Sequence, residues 1–390
     1  MSVNKKISFL LDIDLNHKTG LFNAVHQRMK CFSENNTIES RAHIINVYDG
    51  FFIRLIKILT KKKLLSKKVS SSYEGVDYNI INIKHTLFLI FLRYFDFGLY
   101  AKVMAFKIKD RFVGTHTIVC HWGGASGIIG SYIGECLKVN TYIVFHGSDI
   151  HTLPYKNKKM RRSLITQMSK VKGNVFVSQE LLNQSLDLGH EGGNNHVIYN
   201  GIDVKSIMRD VESDFLCKEL DNKILIGFVG NLLPVKNAEI LPDIFLEINR
   251  LQPGCCFLII GDGYLKEDIY NNCKKLDLPV IFKGKVEPKE AINYINILDL
   301  LVIPSKNEAL SLVALEARCL NTPVISSRVG GLPEAIGLSN TVELDEYFIS
   351  NFSKLAVDKL NNPIVDKLDE HFKKEFTHKK EIELYTDEIN

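Results

Sequence analysis

The sequence predicts an α/β chain made of two Rossmann-like domains, and three observations carry that prediction. Apolar runs of strand length recur along the chain, and most end in a polar turn rich in Gly, Asn or His. Stretches with apolar residues at helical spacing follow several of those turns, which is the alternation of a sheet covered by helices. At 390 residues the chain is long for one core and comfortable for two.

Composition narrows the class. Hydrophobic residues make up 45% and charged residues 24%, the balance of an ordinary soluble protein. The eight cysteines, at 31, 120, 136, 217, 255, 256, 273 and 319, form no CxxC or metal-like cluster, so reduced thiols in a cytoplasmic protein are expected. Lys5 and Lys6 precede only a short apolar run broken by Asp12 and Asp14, which is not the pattern of a secretory leader. The longest apolar stretch, residues 86–92, is far short of a membrane span. The net charge of +4 conceals an asymmetry: residues 1–200 carry 27 Lys/Arg against 14 Asp/Glu, and residues 201–390 carry 22 against 31. A first half at +13 and a second at −9 suggest that the first half meets an anionic surface. No nucleic-acid motif accompanies the basic residues, so a membrane fits better than nucleic acid.

In chain order, residues 7–13 form the first expected strand. Asn16 to Gly20 make a turn, and a helix follows through Leu21, Val25 and Met29. That strand–Gly-turn–helix suits the ligand edge of a Rossmann-like half and places Gly20 beside a ligand. Without a full G-x-G-x-x-G, dinucleotide binding is unsupported. Asp12 and Asp14 give a D-x-D that reads as strand-end acids rather than a metal site. Residues 51–70 hold seven Lys/Arg and no acid, with Phe51, Phe52, Leu55, Ile58 and Leu59 able to share one helical face. The expectation is a helix in the membrane interface with lysines on anionic headgroups, against the plainer one of a surface helix. Residues 93–111 continue aromatic and basic. Two short strands, 117–121 and 141–145, lead into His121 and His146, at the strand ends where open α/β sheets take ligands.

The second domain opens with a strand at 224–229 followed by Gly230, Asn231, Leu232, Leu233, Pro234, Val235 and Lys236. Further strands are expected at 257–260, 280–285 and 298–303. Pro304 ends the last of these, and Ser305 to Glu308 make a polar turn. From Ser311 the residues Leu312, Leu315, Ala317 and Leu320 keep helical spacing. A helix starting there aims its first free amides, around Ala309, Leu310, Ser311 and Leu312, and its positive dipole end into the turn. That is a seat for phosphate. Each piece alone is common in α/β proteins.

Together they are specific. The run PSKNEALSLVALEARCLNTPVISSRVGGLPE, residues 304–334, resembles the E-x7-E region of retaining glycosyltransferases of family 4, with Glu308 and Glu316 at its two acidic positions. The resemblance extends to FHGSD around His146, which is similar to the family's H-G-x-D segment, and to residues 174–178 and 197–203. It implies a GT-B fold, two Rossmann-like domains facing across a cleft. Residues 1–203 would bind the acceptor, residues 204–371 would bind the nucleotide-sugar donor, and the tail at about 372–390 would pack back on the first domain.

By the same resemblance, His146 reaches the donor sugar or its phosphate, and Lys236 holds the pyrophosphate. Glu308 holds sugar hydroxyls, Glu316 accepts the ribose hydroxyls, and Val286 lines the base. Asn231 stands where the family usually has Arg, exchanging a bidentate cation for a neutral amide. The implied function is transfer of a sugar from a nucleotide-diphosphate sugar, UDP ahead of GDP, to a glycan or lipid-linked acceptor in surface polysaccharide synthesis (O-antigen, capsule or exopolysaccharide). No metal or cofactor is expected, since Lys236 and the helix start take the diphosphate's charge. The implied location is cytoplasmic, peripheral on the inner membrane face. Alternatives are a GT-B epimerase or hydrolase, and a non-catalytic nucleotide-sugar-binding partner in an assembly complex.

Overall fold

The computed structural model describes residues 5–16, 20–211, 223–362, 372, 374 and 376–386. They fall into two compact units, Met1–Gly201 with His378–Asn390, and Ile202–Thr377. The sequence reading set these divisions at 203/204 and about 371/372, and much of the second lies outside the described residues.

The first unit holds an eight-stranded sheet: β1 (Lys5–Leu11), β2 (Ile38–Asp49), β3 (Ser71–Tyr73), β4 (Val76–His85), β5 (Thr117–His121), β6 (Asn140–Phe145), β7 (Gly173–Phe176) and β8 (Asn195–Val197). Their order is β3-β4-β2-β1-β5-β6-β7-β8, parallel except for the β3–β4 hairpin. That hairpin turns on Glu74 and Gly75, with φ +45° and +82°. Two left-handed residues give the turn whose twist matches the strands it joins. Helix α1 (Gly20–Ser33) buries Phe22, Val25, Met29 and Phe32. The strands β2 and β4 were not anticipated. Each mixes polar and apolar residues because one face is only half covered.

The expected helix over 51–70 is corrected. Helix α2 spans Phe51–Leu59 alone, and residues 62–70 carry no helix. The buried Asp49 carboxylate draws the chain back, accepting from the Leu65 amide at 2.6 Å and from Lys57 Nζ at 2.8 Å. Further on, Asn82 brackets Lys68, its Oδ1 accepting from the Lys68 amide at 3.0 Å and its Nδ2 donating to the Lys68 carbonyl at 2.8 Å. Satisfying a buried carboxylate outweighs helix propensity here. Helix α3 (Leu87–Phe95) follows β4, capped by Thr86, whose side chain accepts from the Leu89 amide.

The second unit holds six parallel strands: β9 (Ile224–Val229), β10 (Cys255–Ile260), β11 (Val280–Gly284), β12 (Leu300–Ile303), β13 (Val324–Ser327) and β14 (Thr341–Val342), in the order β11-β10-β9-β12-β13-β14. Their near-continuous apolar sequence is that of strands buried on both faces. Phe245 stacks on Phe257 at 4.4 Å within a core that includes Phe228, Val302, Ile325 and Phe352.

Each sheet reverses direction once. In the first, the chain winds from β1 through β2 to β4, then restarts on the other side of β1 at β5. In the second it winds from β9 to β11, then restarts beside β9 at β12. At such a switch the two neighbouring loops part, leaving a crevice at the carboxyl ends of the strands.

Candidate active site

The crevice of the second unit lies between β9 and β12. Past β9, Gly230 adopts φ +157°, Leu232 donates its amide to the Asp262 carbonyl, and Pro234–Lys236 form a 3-10 turn ending on Asn237 at φ +54°. Past β12, Pro304 and the fully buried Ser305 lead into Lys306, whose amide donates to the Val235 carbonyl at 2.9 Å. That bond ties the two loops. Between them the Lys236 ammonium forms an ion pair with the Glu308 carboxylate, the side chains 27% and 13% exposed. The pair spans 72 residues of sequence.

Ser311 caps the helix Leu312–Cys319, its Oγ accepting from the Ala314 amide and its carbonyl from the Leu315 amide. The amides of Leu312 and Val313 have no carbonyl within the helix to bond, so they remain available to an anion. Leu310 is buried, so only its backbone can serve a ligand, while Ala309 is partly exposed. Glu316 sits just over a turn into the helix and is half-buried. Desolvation by burial pushes its carboxyl up to about 7. Asn231 is exposed and Val286 half-buried beyond β11. Among the described residues no hydrogen bond joins Glu316, Asn231 or Val286 to the Lys236–Glu308 pair.

Behind the turn, Gly331 donates its amide to the Glu308 carbonyl at 3.0 Å, and Gly330 holds φ +53° against the same carbonyl. These two glycines support Glu308 from behind.

In the first unit, Gly20 opens α1 next to the β1 end of the β1/β5 crevice. His17 to Thr19 lie outside the described residues. Asp14 pairs with Lys68 at 3.0 Å. His146 follows β6, and the residue after it, Gly147, has φ +124°. Asp149, fully buried, accepts from the amides of His146 (3.1 Å) and Gly147 (2.8 Å) through Oδ1, and from Gly123 (2.7 Å) through Oδ2. One carboxylate thus joins the turns after β5 and β6. Burial raises it to about 6 against the pull of those amides. Trp122, the first residue after β5, sits at φ +81°, a backbone state that costs a non-glycine residue on the order of 1–3 kcal/mol. The role of Asp149 was present in the string H-G-x-D. That of Trp122 left no local signal.

Comparison with known proteins follows the same lines. Residues 214–376 match the family model of glycosyl transferases group 1. An uncharacterised glycosyltransferase of Methanocaldococcus jannaschii is 28% identical over 300 residues, which cover 75% of this chain and 74% of that one. The N-acetyl-alpha-D-glucosaminyl L-malate synthase of Bacillus anthracis is 31% identical over 223 residues, 55% of this chain and 56% of its own. Among solved structures, Anabaena HepE in complex with UDP superposes with a TM-score of 0.72 at 14% identity, covering 98% of this chain and 99% of its own. The lipopolysaccharide outer core galactosyltransferase WaaB gives 0.68 at 16%, over 98% and 99%. With two parallel-dominated sheets, a group 1 region from 214 to 376 and relatives named as glycosyltransferases, this chain has the GT-B fold and is a glycosyltransferase similar to those of family 4.

Proposed function

We propose that this enzyme is a retaining glycosyltransferase that moves a sugar from a nucleotide-diphosphate donor, UDP ahead of GDP, to a glycan or lipid-linked acceptor in surface polysaccharide synthesis. The observation that carries this reading is the Lys236–Glu308 pair at the switch point of the second sheet, beside the start of the helix Leu312–Cys319. As the donor breaks, the departing diphosphate gains negative charge. In this reading Lys236 and the first helix amides take up that charge, and each such preorganised donor is worth roughly 3–4 kcal/mol in the transition state. Lys236 then takes the neutralising part that a metal ion plays elsewhere. Without ligand, Glu308 occupies the ammonium. A diphosphate offers Lys236 a more highly charged partner and releases Glu308 to the sugar hydroxyls. Glu316 binds the ribose hydroxyls, Val286 lines the base, and His146 donates to the sugar or its phosphate. Glu308 is not assigned as a nucleophile, since front-face attack by the acceptor retains configuration without one. HepE, crystallised with UDP and with UDP-glucose, and WaaB, named for lipopolysaccharide, support the donor and pathway by analogy of fold.

A peripheral site on an anionic membrane belongs to the same proposal. Phe51, Phe52, Ile58 and Leu59 of α2 and Phe88, Phe91 and Phe95 of α3 are all more than half exposed. The two helices leave the same edge of the sheet, because β2 and β4 are paired with Asp49 opposite His85. These exposed apolar side chains, with Arg54 and Lys61 to Lys63 on and just after α2, suit an interface with lipid headgroups.

The test is a thermal-shift screen of nucleotide-sugars, followed by nucleotide release with and without a lipid-linked acceptor. A donor that stabilises the protein and turns over only with acceptor is expected. Release independent of acceptor would replace transfer by hydrolysis.

A further inference from the structure

His146 does not stand alone. His121, the last residue of β5, is 1% exposed and its Nδ1 lies 3.1 Å from His146 Nε2. The rings are 5.3 Å apart between centroids, and Phe9 stacks on His121 at 6.0 Å. One of the two facing nitrogens must carry the proton, and the other must accept it. Each choice fixes the remaining nitrogens. If His146 donates, its own Nδ1 is a bare acceptor and His121 carries a buried N–H at Nε2. If His121 donates, His146 carries its proton on Nδ1 and His121 Nε2 is a bare lone pair.

The surroundings separate these cases. His121 Nε2 is buried without a hydrogen-bond partner among the described residues. A buried N–H left unsatisfied is rarer and costlier than a spare lone pair. Arg28, fully buried, is the cation that acts most on both rings. Burial first, and the Arg28 charge second, hold both rings neutral. Arg28 is itself held by Glu381, its Nε donating to Oε2 at 2.7 Å. Glu381 comes from the C-terminal segment, 353 residues away. His146 is partly exposed and its backbone is pinned by Asp149, so its free edge is Nδ1.

We propose that His121 is a positioning residue: its Nδ1–H donates to His146 Nε2, which leaves His146 with a proton on Nδ1 and makes it a hydrogen-bond donor to an oxygen of the sugar-nucleotide. This deepens the function proposed above and rests on it for the ligand, though not for the tautomer. A donor on Nδ1 suits a phosphate or hydroxyl oxygen that gains charge during transfer.

The experiment is long-range 15N–1H correlation on the full chain labelled at histidine, with the two signals assigned from His121→Asn and His146→Gln. The expected pattern is a protonated Nδ1 and bare Nε2 on both rings. His146 found with its proton on Nε2 overturns the proposal. Turnover supplies a second arm. His121→Phe keeps the stacking on Phe9 but removes the donor, and kcat should fall about tenfold or more. His121→Asn places an amide N–H near the former Nδ1 and should restore most of that loss. Equal activity in the Phe and Asn variants, with both folded, also overturns it. Full turnover in His146→Ala together with an Nδ1–H signal in the wild type overturns it by a different route, through the functional reading rather than the tautomer.

Discussion

The amide of Gly331 donates to the Glu308 carbonyl at 3.0 Å, and Gly330 presses its bare Cα side against that carbonyl. A Cβ at Gly330 would collide with the carbonyl oxygen, and φ +53° already disfavours any side chain. The Gly-Gly loop therefore sets the position of Glu308 from behind. Gly330→Ala should cost on the order of 1–3 kcal/mol in stability and displace the carboxylate. Thermal unfolding and turnover measured together check this. A variant with unchanged Tm and unchanged kcat would show that the loop does not position Glu308.

Removing either member of the Lys236–Glu308 pair should leave a folded protein with little activity. Glu308→Gln and Lys236→Met are each expected to lower kcat by about 10²–10³ while circular dichroism stays unchanged. Donor binding separates the two. It should weaken strongly in Lys236→Met, which loses the diphosphate's cation, and little in Glu308→Gln. Full activity in both variants would overturn the active-site assignment.

Glu316 makes a prediction about pH. Its folded carboxyl is raised from 4.5 to about 7 by desolvation. A raised acid favours the fold while protonated, so its contribution is intact below about 4.5 and is lost as pH rises towards 7. Glu316→Gln mimics the protonated form. It should match the wild type in stability near pH 4.5 and exceed it by about 1–3 kcal/mol above pH 7. The variant-minus-wild-type difference is the quantity to measure, because the buried histidines His43 and His378, lowered to about 4 and about 3, titrate with the opposite sign. Donor affinity in the wild type should also fall below pH 7, as the ribose hydroxyls lose their charged acceptor, and that dependence should vanish in Glu316→Gln.

Arg28 and Glu381 anchor the C-terminal segment within the first unit. Both are almost fully buried, so Arg28→Met strands a carboxylate and should cost about 3–5 kcal/mol. Replacing both by Met should cost less than either single change, because no unpaired charge remains. Chemical denaturation of the three variants reads the cycle, and additive losses would show the pair is not coupled.

The apolar face of α2 and α3 predicts vesicle binding. Changing Lys61, Lys62 and Lys63 to Ser should reduce co-sedimentation with anionic vesicles roughly 10- to 100-fold. Phe88→Ser with Phe91→Ser should reduce it on anionic and neutral vesicles alike. Unchanged sedimentation in both variants would retire the membrane proposal.

The sequence by itself determined what is local. Apolar runs broken by Gly, Asn and Pro marked most strands of the second unit, and β9 spans residues 224–229 as read. Ser311 was legible as the start of a helix because capping is a short-range matter of one hydroxyl and one amide. What only the tertiary structure decided was adjacency and burial. That β12 returns beside β9 rather than beyond β11 is a property of sheet order, and it alone brings Lys236 to Glu308. The fate of residues 62–70 was settled by Asp49, a buried acid whose need for donors no helical pattern records. The elevation of Glu316, the anchoring of Arg28 by Glu381 and the facing rings of His121 and His146 have the same origin. Desolvation and hydrogen-bond pairing act between groups far apart in the chain, and they exist only once the core has closed around them.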